Sequence, residues 1–230
     1  MKQILLLAIF LTSLLASFVY ATGEIGDLYF YKVTSGQEAQ AQLLLAEGRA
    51  LGAETGMVII IHKQNFGDGG DSIFSWFELY ENQLHRAETQ YKDSRWAAYL
   101  GKFYRSTAIT PVRSFTMTAL DELVPADYIV NSYIWDPKPG KYDETLKAMY
   151  RTKAIFEKHG FQVDLWVHGA GSDQFLNFTM LSTSLIEQAK SMTSLAADPD
   201  WLKLEPSWMK NEKYARLVEN YQMTSTALSD

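Results

Sequence analysis

The chain has 230 residues, 13% of them aromatic, no Cys, and a formal net charge of −6 at pH 7. Lack of Cys excludes disulfides, thiolate nucleophiles and Cys-based metal centres. An acidic chain (pI about 5.3) without a basic cluster lacks the electrostatic footprint of a nucleic-acid or anionic-membrane binder.

The first 21 residues read as a targeting segment. Lys2 supplies a positive start, the apolar run "ILLLAIFLTSLLASFV" follows, and Val19 and Ala21 stand at the spacing a signal peptidase reads. The run is just long enough to span a bilayer as an anchor, but its single basic flank and small-residue exit favour cleavage after Ala21. The expected location is the periplasm or the exterior, with no membrane attachment after cleavage. Without Cys, a lipid-anchored form is excluded.

From Asp27 the chain alternates. "LYFYKV" predicts a strand, and "GQEAQAQLLLAEGRAL" a helix closed by Gly52. "MVIIIHKQ" is a second strand, rich in β-branched residues, and "NFGDGGD" is a loop. "SIFSWFELY" predicts a third strand, residues 81–104 a broken helix, and "TPVRSFTMTAL" a fourth strand. A linker around Pro125 follows, and then the order recurs: strand 128–135, helix 141–160, strand 161–168, strand 174–182, helical segments over 183–212, and a last strand from Ala215.

Residue matches support two copies of one unit. Trp96 and Phe103 fall on Trp201 and Trp208 at an offset of 105, Phe115, Met117 and Thr118 on Tyr221, Met223 and Thr224 at 106, His62 on His168 at 106, and Asp71, Trp76 and Leu79 on Asp173, Phe178 and Leu181 at 102. The offset drifts only where loop lengths differ, as in a duplication. The expected fold class is α+β, with two ferredoxin-like βαββαβ repeats at 22–122 and 123–230. Each four-stranded sheet leaves one face bare, and the two close on each other as one pseudo-dimeric α+β barrel within a monomer, alone or in a higher oligomer.

The stretch "FELYENQLHRAETQYKDSRW" resembles the dimeric α+β barrel superfamily, whose antibiotic-biosynthesis-monooxygenase members carry Glu-x-aromatic-x-Asp/Asn/Ser here; Glu78, Tyr80 and Asn82 stand at that pattern. "LAADPDW" (195–201) and the turn at Pro139 and Gly140 are similar to the NIPSNAP branch. The resemblance implies a barrel; the fold hosts oxygenases, isomerases, haem enzymes and binding proteins alike. In the haem-degrading branch it implies a His on the helix after the third strand. This chain has Gln90 and Met192 there, with His85 out of step, and no cofactor or metal is expected.

Alternation divides the strand faces. Met57, Ile59 and Ile61, with Val163, Leu165 and Val167, form an apolar side suited to helices; Val58, Ile60 and His62, with Asp164, Trp166 and His168, face the barrel. Trp76, Glu78 and Tyr80 share a face, matched by Phe178, Met180 and Ser182. The site hypothesis is one barrel cavity. His62, His168 and Glu78 would handle protons there, and Trp76, Tyr80, Asp164, Trp166 and Phe178 would hold a ligand. Against this, the histidines could simply bond the loops that end their strands. Glu78 could be a structural ion pair with Arg113 or Lys32 rather than a general base. His85 and His159 read as helix-surface residues, the Trp96–Phe103 and Trp201–Trp208 pairs as core, and the "NFT" at Asn177 as a glycosylation acceptor placed inside a strand. The favoured function is binding of a small apolar or aromatic molecule in the barrel. The rivals are a cofactor-independent monooxygenase or isomerase on a small aromatic substrate, and an interaction protein with a filled barrel.

Overall fold

A computed structural model describes residues 23–67, 73–123, 129–169, 174–210 and 212–226. The targeting segment, most of the glycine loop, the linker around Pro125 and most of "GAGSD" lie outside the described residues. No helix among the described residues is long and apolar enough to cross a membrane.

The elements run β1 (Ile25–Val33), α1 (Glu38–Glu54), β2 (Val58–Phe66), β3 (Ile73–Tyr80), α2 (Gln83–Thr89), α3 (Ser94–Arg105), β4 (Ile109–Ala119), β5 (Ile129–Pro137), α4 (Tyr142–Glu157), β6 (Gln162–His168), β7 (Leu176–Ser182), α5 (Leu185–Leu195), α6 (Pro199–Met209) and β8 (Ala215–Ser225). Each expected strand and helix is present. The segments after β3 and β7 are both split in two, because a polar residue restarts the second helix each time. Asp93 caps α3 and Asp198 caps α6, each side chain accepting from backbone N–H groups in the new first turn.

All eight strands form one closed antiparallel barrel in the order β1-β3-β2-β8-β5-β7-β6-β4, with β4 returning to β1. Closure leaves no open edge. The pairings are uneven. β1 meets β4 and β5 meets β8 along their whole lengths, whereas β4 and β6 are joined only from Met117–His168 to Ala119–Trp166, and β2 and β8 only from His62–Ser225 to Phe66–Gln222.

Three apolar cores result. Inside the barrel, Leu28, Phe30, Met117, Trp166, Tyr221 and Met223 pack together. Outside, α1 to α3 cover one group of strands through Leu45, Ile59, Ile61, Trp76, Trp96 and Phe103, and α4 to α6 cover the other through Met149, Phe156, Val163, Leu165, Phe178 and Trp208. Of the two aromatic pairs spaced seven apart, Trp96, Phe103 and Trp208 are core; Trp201 is only partly buried and meets Phe156 edge-on at 4.9 Å. His159 is more than a surface residue. Its ring lies 2.7 Å from Ser194 Oγ and 2.8 Å from Asp198 Oδ2, tying the end of α4 to α5 and α6, and this contact draws the Asp198 carboxyl down to about 2.

Gly48 lets α1 approach β3 closely. A Cβ there would sit well inside van der Waals contact with Trp76 and Tyr99. Gly→Ala within a helix ordinarily stabilises by about 1 kcal/mol, but Gly48→Ala should reverse the sign and cost about 1–3 kcal/mol by overpacking. Urea denaturation checks this, with Gly101→Ala as the comparison, since its Cβ would meet only the end of the Arg105 side chain at 3.5 Å.

Candidate functional site

Strand register decides which expected site residues share a space. In an antiparallel pair, residues directly opposite project from the same face. Ile59 stands opposite Glu78 and Ile61 opposite Trp76; Val163 stands opposite Met180 and Leu165 opposite Phe178. Ile59, Ile61, Val163 and Leu165 face helices, so Trp76, Glu78, Tyr80 and Phe178 must face helices too. The single cavity expected to hold all eight residues is therefore corrected to three separate environments.

The first is a filled space under α1 to α3. Glu78 is fully buried; Oε1 accepts from Trp76 Nε1 (2.8 Å) and from the Tyr91 hydroxyl, and Oε2 from the Tyr80 hydroxyl (2.8 Å) and Gln90 Nε2 (3.1 Å). Gln90 also donates to Asp27 Oδ2 (3.1 Å), a second buried carboxylate that accepts from Arg86 Nε (2.7 Å) and the Thr116 hydroxyl (2.6 Å). Burial, then the Glu78 charge, raises the Tyr80 and Tyr91 hydroxyls far above their ordinary value, so they stay as donors. Neither ion pair considered for Glu78 forms: Arg113 pairs with Glu219 and lies over the Phe30 ring at 4.1 Å. A carboxylate with four donors is a structural clasp. Gln90 and Tyr91 stand just past the end of a helix, where no periodic signal marks them as its members. Glu78→Gln places an N–H₂ against donors and should cost at least about 2 kcal/mol, read as a fall in the urea midpoint.

The second environment is the barrel interior, where Ile60, His62, Phe77, Asp164, Trp166, Asn177, Thr179 and Tyr221 help line a cavity of about 90 Å³. His62 Nδ1 lies 3.4 Å from Ser75 Oγ. Ser132 donates to Asn177 Oδ1 (2.7 Å), as does Thr179 (3.3 Å). Asn177 is thus buried in the barrel, out of reach of a glycosylating enzyme. His168 lies elsewhere in the interior, stacked on Phe115 at 4.4 Å; burial, then Arg113, pushes its imidazole down to about 4. Its Nε2 has no hydrogen-bond partner. The two histidines so have dissimilar surroundings, and only His62 lines the cavity. Asp164 is buried with Oδ1 unpartnered; desolvation, then the charge of Asp121, lifts its carboxyl to about 7.

An acid whose folded pKa lies above its unfolded value of 3.8 favours the native state below that value, and this contribution is lost as pH rises through about 7. Stability should fall between about pH 4 and 7 by an amount on the order of a few kcal/mol from this group. Asp164→Asn should flatten that slope in denaturant titrations at stepped pH.

The third environment lies beneath α4, α5 and α6. Here Trp135, Met149, Phe156, Phe178, Met180 and Trp201, with others, enclose a cavity of about 330 Å³. Met192 on α5 and Met209 on α6, 45% and 58% exposed, stand among its walls with Ala196, and Glu205 is its ionisable carboxylate. Trp208 Nε1 donates to Thr152 Oγ1 (3.0 Å), so the indole's polar edge is satisfied within the wall. Of the expected ligand-binding residues only Phe178 lies here. The α4 to α6 residues were missed because their apolar positions read equally well as solid core.

The lining does not fit a haem: no His lines the cavity to supply an imidazole ligand, and no Lys or Arg lines it to pair with the propionates. Among the described residues no group of three or more His, Cys, Asp or Glu is arranged to hold a metal.

No protein-family model matches the sequence, and no curated protein is detectably similar. Solved structures are similar in fold. A candidate monooxygenase from Fusobacterium nucleatum superposes with a TM-score of 0.63 at 11% identity, covering 90% of this chain and 94% of that one. A chlorite dismutase variant from Candidatus Nitrospira defluvii gives 0.57 at 9% identity (90% and 93% covered), and an anthrone oxidase-like protein 0.55 at 11% (88% and 92%). The chain therefore has the α+β barrel fold of the chlorite dismutase-like proteins and the monooxygenase-like proteins near them. At such identities the likeness shows the fold alone.

Proposed function

We propose that this is an exported, tandem α+β barrel protein that binds a small, flat, largely apolar or aromatic molecule in the cavity beneath α4 to α6. Volume is the observation that carries the choice of site. An apolar cavity of about 150 Å³ holds benzene; the helix-covered cavity is about twice that and the barrel cavity well below it. Indoles, phenyl rings and thioethers line the larger space, which is how sites for apolar small molecules are built.

Three features support the tandem reading. The element order recurs across the chain. Register shifts fall at Phe30/Tyr31 and Ile134/Trp135, matching places in β1–β4 and β5–β8. Arg113 and Glu219, 106 positions apart, pair with each other as equivalent residues near a pseudo-twofold axis would. Ferredoxin-like repeats closing as an intramolecular dimer account for all three, and the likeness of residues 195–201 to the NIPSNAP branch supports a reading within that branch or the monooxygenase-like one. Export rests on the first 21 residues.

Turnover is the second reading, suggested by the candidate monooxygenase and the anthrone oxidase-like protein among the structural neighbours. In this cavity it would use Glu205, since His62, His168 and Glu78 lie in other environments. The test uses N-phenyl-1-naphthylamine, a neutral aromatic probe whose emission rises in apolar surroundings. Saturable enhancement is expected, and Ala196→Trp, which adds bulk at an exposed lining position, should weaken it at least tenfold. Asp164→Asn should leave it unchanged. No enhancement with the native chain, or none lost in Ala196→Trp, would overturn the assignment.

A further inference from the structure

The barrel interior offers a second, chemically different site. Asp164 is 7% exposed, lines the 90 Å³ cavity and keeps one carboxyl oxygen without a hydrogen-bond partner. Unpartnered buried oxygens are uncommon, because the desolvation of the group goes uncompensated. Around it the walls are apolar and aromatic. Trp166 stands two residues along the same strand and meets Phe77 edge-on at 5.7 Å, while Leu79, Leu181 and Val130 fill much of the remainder. Thr179 stands directly opposite Asp164 in the β6–β7 register, and Asn177 directly opposite Trp166.

Charge selects among ligands that could donate to this oxygen. Asp121 and Glu24 lie close enough to act on Asp164 with negative fields, and Lys153, bonded to Asp121, offsets part of them. Gln162 also bonds the Asp164 carboxyl. His62 and Tyr221 are the other titratable groups lining the cavity; burial pushes the Tyr221 hydroxyl up to about 12, so it is neutral at physiological pH. The local field favours a cation over an anion or a neutral donor. An ammonium needs an anionic acceptor, one or two neutral acceptors and an aromatic face, and Asp164, Thr179 and Trp166 supply these. Size sets the upper limit: a cavity below the volume that holds benzene admits only a few heavy atoms.

We propose that the barrel cavity binds a short primary alkylammonium ion, its nitrogen paired with Asp164 and its alkyl tail against Trp166, Phe77 and the aliphatic wall. This site lies on the opposite sheet face from the helix-covered cavity and stands or falls independently of it.

The experiment is isothermal titration calorimetry of the full chain with propylammonium chloride, 1-propanol as the neutral isostere and hexylammonium chloride as the oversized cation, all at matched ionic strength. Propylammonium is expected to bind at least tenfold tighter than 1-propanol, and tighter at pH 8 than at pH 6, because the ionised carboxylate is the partner. Hexylammonium is expected to bind more weakly than propylammonium. Asp164→Asn should remove the preference for the cation; should that variant fail to fold, the native chain's ranking by charge, size and pH decides alone. Equal binding of propylammonium and 1-propanol, no binding of either up to tens of millimolar, or tightest binding of hexylammonium would overturn the proposal. The first outcome would leave an uncharged site for small alcohols and amines alike, the second a pocket for water, and the third would move the cation to the larger cavity.

Discussion

Everything in this molecule depends on two short strand seams. The β4–β6 seam runs only from Met117–His168 to Ala119–Trp166, and the β2–β8 seam only from His62–Ser225 to Phe66–Gln222. They turn two covered sheets into one barrel with no open edge. Once closed, the inner faces share a single core in which Phe30, Phe115 and Tyr221 pack ring to ring with centroids 5.4–6.0 Å apart. Room inside is set by side-chain volume from eight strands at once. That is why the interior keeps only a small cavity, and why Gly26 is needed where Phe77 and Trp166 would collide with any Cβ.

The outer faces carry no such shared constraint, and they differ. Under α1 to α3 the face carries Trp76, Glu78 and Tyr80; the positions 102 residues later carry Phe178, Met180 and Ser182. Gln90, which donates to both buried carboxylates on one side, is matched by Met192 on the other. A carboxylate with four donors draws its neighbours inward, since each hydrogen bond to a buried charge is worth about 1.5–3 kcal/mol. A thioether exerts no comparable pull and fills irregular space loosely. The filled space and the open one differ accordingly: one outer face carries polar donors and acceptors, the other thioethers.

Much of this was legible in the sequence. Alternation places Ile59 and Leu165 toward helices and Asp164 and Trp166 toward the barrel, and periodicity marks the four helical stretches that the described residues resolve into six helices. What alternation cannot give is the register between strands, and a slip of one residue moves a whole set to the other face. Alternation alone therefore puts Trp76, Glu78, Tyr80 and Phe178 on the barrel side, and register moves them to the helix side. Opposite neighbours such as Ile59 and Glu78 decide the matter, and no single strand carries that information. The cavity under α4 to α6 was hidden for a different cause. Trp201 and Trp208 have the spacing of a packed helix face, and whether such faces meet or leave a gap depends on distances between helices that periodicity does not encode.

The two cavities also differ in what they can do to the fold. The barrel cavity is walled by the strands that close the molecule, and its buried carboxylate is a strain on the native state until a proton or a cation meets it. An occupant there would act through the same residues that set barrel closure, so binding and stability are linked. The helix-covered cavity has one wall of sheet and three of helix, with Met192 and Met209 exposed on its margin. Helices α5 and α6 are each 11 residues long and joined to α4 through the bridging imidazole of His159. Neither helix takes part in a strand pairing, so an apolar guest in the proposed site on this face would leave barrel closure untouched, as one inside the barrel would not.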